Sequence, residues 1–313
     1  MELTKIKVGV LAGGISEEKD ISLLSARQVF QALKKKNIKA ELIEIKTSSG
    51  NQIKKIIKSA QVDLAFVALH GLFGEDGKIQ SMLEEIPITY TGSGPQASSL
   101  SMDKIAAKEI FKKEGVPTPF FRLATNKDHN YEDINYPVVV KPSHSGSSFG
   151  ISIVNNKEKI KAALEKSFKF GESVIIENFI KGKELTVGVL GKRPLAVVEI
   201  VPKGKYFDFK NKYIKGNSVF IAPAKLSRKI YKKVQEVALA AHKALGCRDF
   251  SRVDIRLKGN VPYVLEVNSI PGLTEYSLLP LSAFACGISF DQLIISFLKT
   301  ALLRKNRRLM SYG

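Results

Sequence analysis

The sequence predicts a mixed fold, in which a parallel-sheet α/β domain comes first and α+β structure follows. The apolar run Lys7–Leu11 ends in an Ala-Gly-Gly turn, and a helical pattern follows from about Ser22 to Lys36. A strand, a glycine turn and a helix in this order open a doubly wound domain. Further along, the β-rich runs Ser251–Leu257 and Val261–Val267 flank a Lys-Gly-Asn sequence typical of a hairpin turn.

Length and composition indicate a soluble globular protein. A chain of 313 residues usually forms two or three domains, and 44% hydrophobic with 25% charged residues is an ordinary balance. No apolar run reaches the roughly 18 residues of a membrane span. The N-terminus has no apolar signal-peptide region, so we expect a cytoplasmic protein. Only Cys247 and Cys286 are present, and they imply no disulfide framework.

The formal net charge of +19 is high. Such a charge is compatible with nucleic acid, a membrane surface or anionic substrates as partners. However, the sequence has no nucleic-acid fold motif and no aromatic residues interleaved with the basic ones. Most lysines fall on the polar faces of predicted helices, so we expect a lysine-rich solvated surface and no nucleic-acid partner.

The first third carries two candidate substrate-binding side chains. The predicted strand Asp63–Leu69 ends directly before His70, and Glu18 lies in the turn after the first strand. Ligands of open parallel sheets bind at the carboxyl ends of the strands. Glu18 is therefore a candidate for holding an amine and His70 for orienting a substrate, although a structural, hydrogen-bonded histidine is the alternative. The Gly-Ser-Gly-Pro sequence ending at Pro95 indicates a domain boundary.

The middle third carries candidate phosphate-binding residues. A helix is predicted to begin at about Ser101, which puts Lys104 in its first turn, where a cation opposes the helix dipole and thus indicates a ligand-facing role. The predicted strand Tyr136–Pro142 delivers Lys141 to a loop rich in serine and glycine. Such a loop can wrap a polyphosphate, with Lys141 as a point charge, unless it is only a flexible surface hairpin.

A candidate adenosine site follows the predicted strand Ser173–Glu177. Glu177 could accept a hydrogen bond from an adenine, and Phe179 could stack on it. Glu184, a few residues later, could face a ribose.

Three oxygen-bearing side chains converge on the predicted hairpin. Asp254 lies on its first strand, and Glu266 and Asn268, two residues apart, point to one face of its second strand. Carboxylate and amide oxygens suit Mg²⁺, which takes further oxygens from a substrate phosphate. Gly272, in the turn that follows, could present its N–H to a substrate oxygen. A hairpin whose charged face is merely solvated is the alternative.

At this point the sequence resembles a known family, the D-alanine–D-alanine ligases of the ATP-grasp superfamily. The matching motifs stand in the family's order between residues 13 and 280, and together they are highly specific. They are GGISEEKDISL, ALHGLFGEDG, YTGSG, SMDK, KPSHSGSSFG, CRDFSRVDI and LEVNSIPGLTEYSLLP.

The resemblance implies a three-domain ATP-grasp ligase, in which a Rossmann-like N-terminal domain precedes two α+β domains that clamp ATP. We expect domains at 1–95, 96–182 and 183–313, with a mobile lid at 207–218. The implied reaction phosphorylates one D-alanine from ATP and joins the acyl phosphate to a second D-alanine. The resemblance further implies two Mg²⁺ or Mn²⁺ ions, a homodimer, and a place in peptidoglycan precursor synthesis.

The resemblance also implies a role for each matching residue. The expected catalytic residues are Glu18, Ser147, Tyr213, Arg252 and Gly272. Substrates would be bound by Glu18, His70, Lys212, Ser277 and Leu278. ATP would be bound by Lys104, Lys141, Ser147, Ser148, Glu177, Phe179, Ile180 and Glu184. The metal ligands would be Asp254, Glu266 and Asn268.

Departures from the family pattern are few. Phe179 stands where a tryptophan is frequent, Ile270 replaces a commonly polar residue, and the basic segment Arg304–Arg308 has no counterpart that we can interpret. Tyr213 resembles the tyrosine that accompanies D-alanyl-D-alanine synthesis. A D-alanine–D-lactate or other D-amino-acid ligase is the alternative within the family, and a non-catalytic, basic ATP- or nucleic-acid-binding protein is the alternative outside it.

Overall fold

The first part of the chain folds around a parallel sheet. The computed structural model describes residues 3–124, 133–144, 146, 149–202 and 218–310, with side chains only as far as 304. The strands are β1 (Lys7–Gly13), β2 (Lys39–Ile45), β3 (Leu64–Val67) and β4 (Thr89–Tyr90), in the order β2-β1-β3-β4. A short 3₁₀ turn at Leu3–Lys5 precedes them, and the helices between them are α1 (Lys19–Lys35), α2 (Gly50–Ser59) and α3 (Lys78–Glu84).

An antiparallel sheet occupies the middle of the chain. Two consecutive helices, α4 (Pro95–Met102) and α5 (Lys104–Lys113), lead into it. Its strands have the order β5-β8-β6-β7, and the connection between β7 and β8 is a 3₁₀ turn at Lys157–Lys159 followed by a helix. The elements are β5 (Phe121–Ala124), β6 (Val138–Pro142), β7 (Ser152–Val154), α6 (Ile160–Phe168) and β8 (Val174–Asn178).

A second antiparallel sheet, ordered β11-β10-β9-β12-β13, forms the last part. Its strands are β9 (Lys183–Leu190), β10 (Arg193–Pro202), β11 (Ser218–Ile221), β12 (Phe250–Lys258) and β13 (Val261–Asn268). The helices are α7 (Arg228–Ala244), α8 (Leu278–Phe284) and α9 (Phe290–Met310). The described sheets match the mixed α/β and α+β class expected from the sequence.

The parallel sheet is covered on both faces, and one cover comes from the other end of the chain. Buried residues of β1, β3 and α1 share one apolar cluster with α9. Within it the rings of Phe250 and Phe297 stack with centroids 3.9 Å apart. A second cluster on this sheet includes Ile53 of α2 and Ile79 of α3. Burying each such side chain contributes roughly 1.5–3 kcal/mol, so the two faces together fix the position of the rim that carries Glu18 and His70.

Several element boundaries differ from those expected. Helix α1 begins at Lys19, three residues earlier than predicted, which puts Glu18 at its N-cap position. The helix predicted from Ser101 begins instead at Lys104, because Asp103 has extended backbone angles and its side chain accepts the N–H groups of Ile105 and Ala106. A capping aspartate of this kind begins a new helix and separates it from α4.

Candidate active site

The hairpin β12–β13 brings the predicted metal ligands together. Asp254 lies directly opposite Glu266 in the antiparallel register, and Arg252 lies opposite Asn268. Residues two apart on a strand point to one face, so all four side chains share a face of the sheet. The register shifts directly after Asp254. Such a bulge bends the strand at the point where the charged residues lie.

Hydrogen bonds hold the Asp254 carboxylate from several sides. Arg252 donates from Nε to Oδ1 (2.9 Å) and from Nη2 to Oδ2 (2.8 Å), and Asn268 donates to Oδ2 (3.2 Å). Thr186, buried on the neighbouring strand β9, donates its hydroxyl proton to Oδ1 at 2.7 Å. The sequence interpretation missed Thr186. Only the pairing of β9 with β12, which places Thr186 opposite Asp254, reveals it.

The donor set on the hairpin fits a divalent cation. Asp254 and Glu266 supply carboxylate oxygens from facing strands, and Asn268 supplies an amide oxygen on the same face. These are the hard oxygen ligands that Mg²⁺ and Mn²⁺ take in proteins. Within the described ranges, no group of three or more His, Cys, Asp and Glu side chains is placed to hold a metal ion. The third protein ligand of this set would therefore be an amide.

A buried carboxylate lies between two buried lysines. Lys141 donates to Glu177 Oε1 at 2.7 Å, and Lys108 Nζ lies 2.9 Å from Oε2. Burial favours the neutral acid, but Lys108 and Lys141 outweigh that effect and lower the pKa of Glu177. Burial lowers the pKa of Lys108 to about 8, against the attraction of Glu177. Oε2 is buried and accepts no well-directed hydrogen bond from the described residues, so its contact with Lys108 is mainly electrostatic.

Lys108 is a site residue that the sequence interpretation missed, and a signal for it existed. Lys104, Ala107, Lys108 and Phe111 are the buried positions of α5, so two lysines lie within the apolar stripe of that helix. A buried lysine needs a partner. Lys108 has two, since its Nζ also donates to Thr118 Oγ1 at 2.7 Å. Lys104 Nζ lies 3.5 Å from Glu266 Oε2, so α5 reaches the hairpin as well.

The residues predicted to hold adenosine follow β8 closely. Phe179 is half-buried, and the guanidinium of Arg256 lies 5.9 Å from the centre of its ring. The same guanidinium donates to Glu184 Oε2 at 2.6 Å. Ile180, which directly follows Phe179 in the chain, is half-buried. Arg256 was not predicted, and it connects the aromatic side chain with the carboxylate expected at a ribose.

Glu18 lies at the meeting point of two loops. A Cβ atom on Gly71 would lie 2.7 Å from Glu18 Oε2, and a Cβ atom on Gly146 would lie 3.3 Å from it. Glycine at these positions therefore leaves room for the carboxylate, and at Gly71 it also accepts the left-handed φ of 71°. Gly146 belongs to the serine- and glycine-rich loop, and at this residue the loop lies close to the rim of the parallel sheet.

His70 is buried, and both of its ring nitrogens have protein partners. Nε2 lies 3.1 Å from Ser25 Oγ, while Nδ1 lies 3.1 Å from the carbonyl oxygen of Ile270 and 3.4 Å from Glu75 Oε1. These contacts favour the structural alternative considered for His70. They also connect the parallel sheet to the turn that contains Gly272.

The turn after β13 is compact. A Cβ atom on Gly272 would lie 3.0 Å from Ser277 Oγ, so a larger residue would displace Ser277. Ser277 occupies the N-cap position of α8, its Oγ accepts the N–H of Thr274 at 3.1 Å, and Leu278 is the first residue of that helix. Gly272, Ser277 and Leu278 therefore lie close together in this turn. Ser147, Ser148, Lys212 and Tyr213, with residues 207–217 of the predicted lid, lie outside the described residues.

Part of the basic C-terminal segment has a structural role. Arg304 donates to both oxygens of Asp249 and to the backbone oxygen of Tyr90, each at 2.5 Å. This arginine joins α9 to the end of β4.

Within the described part of the chain, no helix is both long and apolar enough to cross a membrane.

Comparison with known proteins agrees with the resemblance over nearly the whole chain. Residues 46–93 match the family model of the D-ala D-ala ligase N-terminus, and residues 110–299 match that of the C-terminus. A D-alanine–D-alanine ligase of Syntrophotalea carbinolica is 41% identical over 305 residues, which cover 97% of this chain and 99% of the relative. One from Clostridium botulinum is 45% identical over 295 residues, covering 92% and 96%.

Solved structures give the same result. The crystal structure of the D-alanine–D-alanine ligase from Bacillus anthracis superposes with a TM-score of 0.87 at 34% identity, covering 97% of this chain and 99% of that one. The structure of that enzyme complexed with ATP gives 0.86 at 32% identity. The predicted fold class is thereby confirmed, and the chain belongs to the D-alanine–D-alanine ligase family.

Proposed function

We propose that this chain joins two molecules of D-alanine to D-alanyl-D-alanine at the expense of ATP. The γ-phosphoryl group passes to a carboxylate oxygen of the first D-alanine, which gives D-alanyl phosphate and ADP. The amine of the second D-alanine attacks the acyl carbon and loses a proton, and phosphate leaves with its bridging oxygen. The dipeptide serves peptidoglycan precursor synthesis.

One observation carries the proposal: in a chain of this family, the hairpin presents Arg252, Asp254, Glu266 and Asn268 on a single face. A protein that only binds ATP needs phosphate and base contacts, but no donor for a developing oxyanion. The presence of Arg252 next to the carboxylates therefore favours chemistry over binding alone.

For the first step we assign the nucleotide to the cleft between the two antiparallel sheets. Lys104, Lys141, Ser147 and Ser148 would bind the phosphates. Glu177, Phe179, Ile180 and Glu184 would hold the adenosine. Asp254, Glu266 and Asn268 would hold two Mg²⁺ or Mn²⁺ ions, whose charge offsets that of the phosphates when bound. Lys141 and Glu177 form an ion pair, so a nucleotide phosphate that contacts Lys141 would also change the electrostatic environment of Glu177.

For the second step we assign the substrates to the rim of the parallel sheet. Glu18 would pair with the ammonium of the first D-alanine, near His70. Arg252 and the Gly272 N–H would stabilise the oxyanion, and one such donor is typically worth about 10²–10³ in rate. Ser277 and the Leu278 N–H would bind the carboxylate of the second D-alanine. Lys212 and Tyr213, in the proposed lid, would close the site with Ser147 and exclude water.

The remaining assignments also rest on the family resemblance. We propose a homodimer that works in the cytoplasm, with no nucleic-acid partner. Light scattering on a sizing column would measure the mass in solution, and a monomer at every concentration would contradict the dimer.

The decisive assay measures ADP release with Mg²⁺ and identifies the product by mass. D-alanine, L-alanine, and D-alanine plus D-lactate are supplied in separate reactions. We expect D-alanyl-D-alanine from D-alanine alone and no product from L-alanine. A depsipeptide made in preference to the dipeptide would indicate a D-alanine–D-lactate ligase, and the absence of ADP in every reaction would refute the proposal.

A further inference from the structure

The helix that carries Glu18 also contacts the turn that carries Gly272. Ser25 lies on α1 and is fully buried, and its Oγ accepts the backbone N–H of Leu273 at 3.2 Å. Gln28, three residues later, accepts the N–H of Glu275 at 2.7 Å. Ser25 and Leu273 are 248 positions apart in the chain, so these bonds join its two ends at the proposed site.

The partners of His70 determine the direction of the hydrogen bonds around Ser25. Among the described residues, Nδ1 lies near two acceptors, the carbonyl oxygen of Ile270 and the carboxylate of Glu75, so these contacts favour the tautomer that carries its proton on Nδ1. Nε2 is then an acceptor. Because the Ser25 oxygen already accepts from Leu273, its own proton is available for Nε2 at 3.1 Å.

The resulting network holds the turn on both sides of Gly272. Leu273, which follows Gly272, donates to Ser25, and Ile270, two residues before Gly272, accepts from His70. Both bonds depend on the Ser25 hydroxyl. Leu273 donates to it directly, and the hydroxyl orients the imidazole of His70, which in turn contacts Ile270.

The position of Ser25 on α1 relates the two halves of the proposed site. Glu18, at the N-cap position, precedes Ser25 by seven residues, which is about two helical turns and ~10 Å along the axis. The two side chains therefore lie on the same face of one rigid helix. This face of α1 therefore sets the distance between the Glu18 carboxylate, assigned to the first D-alanine, and the Gly272 N–H, assigned to the oxyanion.

We propose that Ser25 is a positioning residue, which keeps the Gly272 N–H aligned with the acyl oxygen, where the oxyanion develops, during the second half-reaction. The proposal rests on the proposed function. Ser25 contacts no assigned substrate atom, so its loss would leave ATP binding unchanged. A turn displaced by a fraction of an ångström would slow attack by the amine, and a misplacement of 1 Å can cost about 10²-fold. The acyl phosphate would then persist long enough to react with water.

The test compares Ser25→Ala with Ser22→Ala, a matched control on the same helix. Ser22 is also fully buried, and its Oγ accepts from Gly13 N–H and donates to the carbonyl oxygen of Ala68. Both variants lose one accepted and one donated hydrogen bond. For each variant one measures the dipeptide formed, the ADP released per dipeptide, the KM for ATP and the thermal midpoint.

We expect Ser25→Ala to form dipeptide about 10- to 100-fold more slowly, with more than one ADP per dipeptide and the KM for ATP within twofold of the wild type. Ser22→Ala should lower the thermal midpoint but keep the ratio of ADP to dipeptide close to one. Ser25→Thr, which retains the hydroxyl, should return the ratio of ADP to dipeptide to the wild-type value. If Ser25→Ala does not fold, Ser25→Cys, of similar size and with a weak S–H donor, should show the raised ratio.

The positioning role of Ser25 and the proposed function would be overturned by different results. A ratio of one in a folded Ser25 variant that forms dipeptide at the rate of Ser22→Ala would overturn the positioning role. Wild-type protein that makes no dipeptide would overturn the proposed function instead, because that result is obtained before any variant is compared.

Discussion

Two carboxylates of the proposed site, Glu177 and Asp254, are stabilised by different sets of neighbours. Glu177 is almost completely buried between Lys108 and Lys141, which belong to different elements of the fold. Asp254 is partly exposed, and besides Arg252 it is held by the neutral donors of Thr186 and Asn268. The first carboxylate is balanced by two buried lysines, and the second by one arginine together with neutral hydrogen-bond donors.

The difference shows where each residue should matter most. A buried ion pair is costly to break, because removing one partner leaves an uncompensated charge in a medium of low dielectric constant. Asp254 keeps its ion pair with Arg252 when one neutral donor is removed, so the loss of stability should be that of a single hydrogen bond. Changes at Glu177 should therefore affect folding first, and changes around Asp254 should affect ligand binding first.

The largest effect is expected from Glu177→Leu. This variant leaves the ammonium groups of Lys108 and Lys141 buried without a counter-charge, which should lower the free energy of unfolding by about 3–5 kcal/mol. Denaturant titration measures the change. Glu109→Leu is the control, because Glu109 forms an exposed pair with Lys112 and should change stability by less than about 1 kcal/mol. Equal losses in both variants would mean that the burial of Glu177 between two lysines adds nothing to its contribution to stability.

A smaller effect, visible as a pH dependence, is expected from Lys108→Met. The pKa of Lys108 is about 8 in the folded protein, below its ordinary value of 10.5, and Glu177, Lys141 and Glu266 are the charged groups that act on it. Between these two values the unfolded chain holds a proton that the folded chain has released, so this group makes the folded state more stable as the pH rises.

The wild type should therefore gain up to about 3 kcal/mol over Lys108→Met between pH 8 and pH 10.5, as measured by denaturant unfolding at several pH values. Lys112→Met, at an exposed position one turn further along α5, is the control for removing a lysine from this helix. If the difference between the wild type and Lys108→Met does not change with pH, burial does not lower the pKa of Lys108.

The smallest effect is expected from Thr186→Val, which removes the hydroxyl donor to Asp254 but keeps the shape of the side chain. Donors that orient a metal ligand typically contribute 10- to 100-fold in metal affinity. We expect weaker Mn²⁺ binding in this range, measured by electron paramagnetic resonance with ADP present, and little loss of stability. Thr300→Val, which changes a bond within α9, is the control. Unchanged Mn²⁺ affinity in Thr186→Val would contradict the assigned orientation of Asp254.

The sequence predicted the structural features that depend on a local pattern of residues. Alternation along β12 and β13 was enough to put Asp254, Glu266 and Asn268 on one face, because neighbouring strands of a hairpin pair in a register set by the turn. The parallel sheet was predictable for the same reason, since each strand and helix has its own periodicity. Family motifs then identified the fold class and the family.

The sequence was uninformative where contacts span the chain. Ser25, His70 and Ile270 have no local feature that relates them, and only the packing of the parallel sheet against the turn after β13 brings them together. The pairing of Thr186 with Asp254 depends in the same way on which strand lies next to β12. Lys108 is an intermediate case, because its position in an apolar stripe was visible but its partners were not.

The shared cluster of β1, β3, α1 and α9 has a consequence for how the protein is made. The parallel sheet is synthesised early, but one of its faces is covered by the last helix of the chain. A ribosome adds about 5–20 residues per second, so the roughly 200 residues between β4 and α9 take about 10–40 s to appear. During that interval the nascent sheet exposes an apolar face. We therefore expect chaperones that bind hydrophobic surfaces to occupy this segment on the ribosome until α9 emerges.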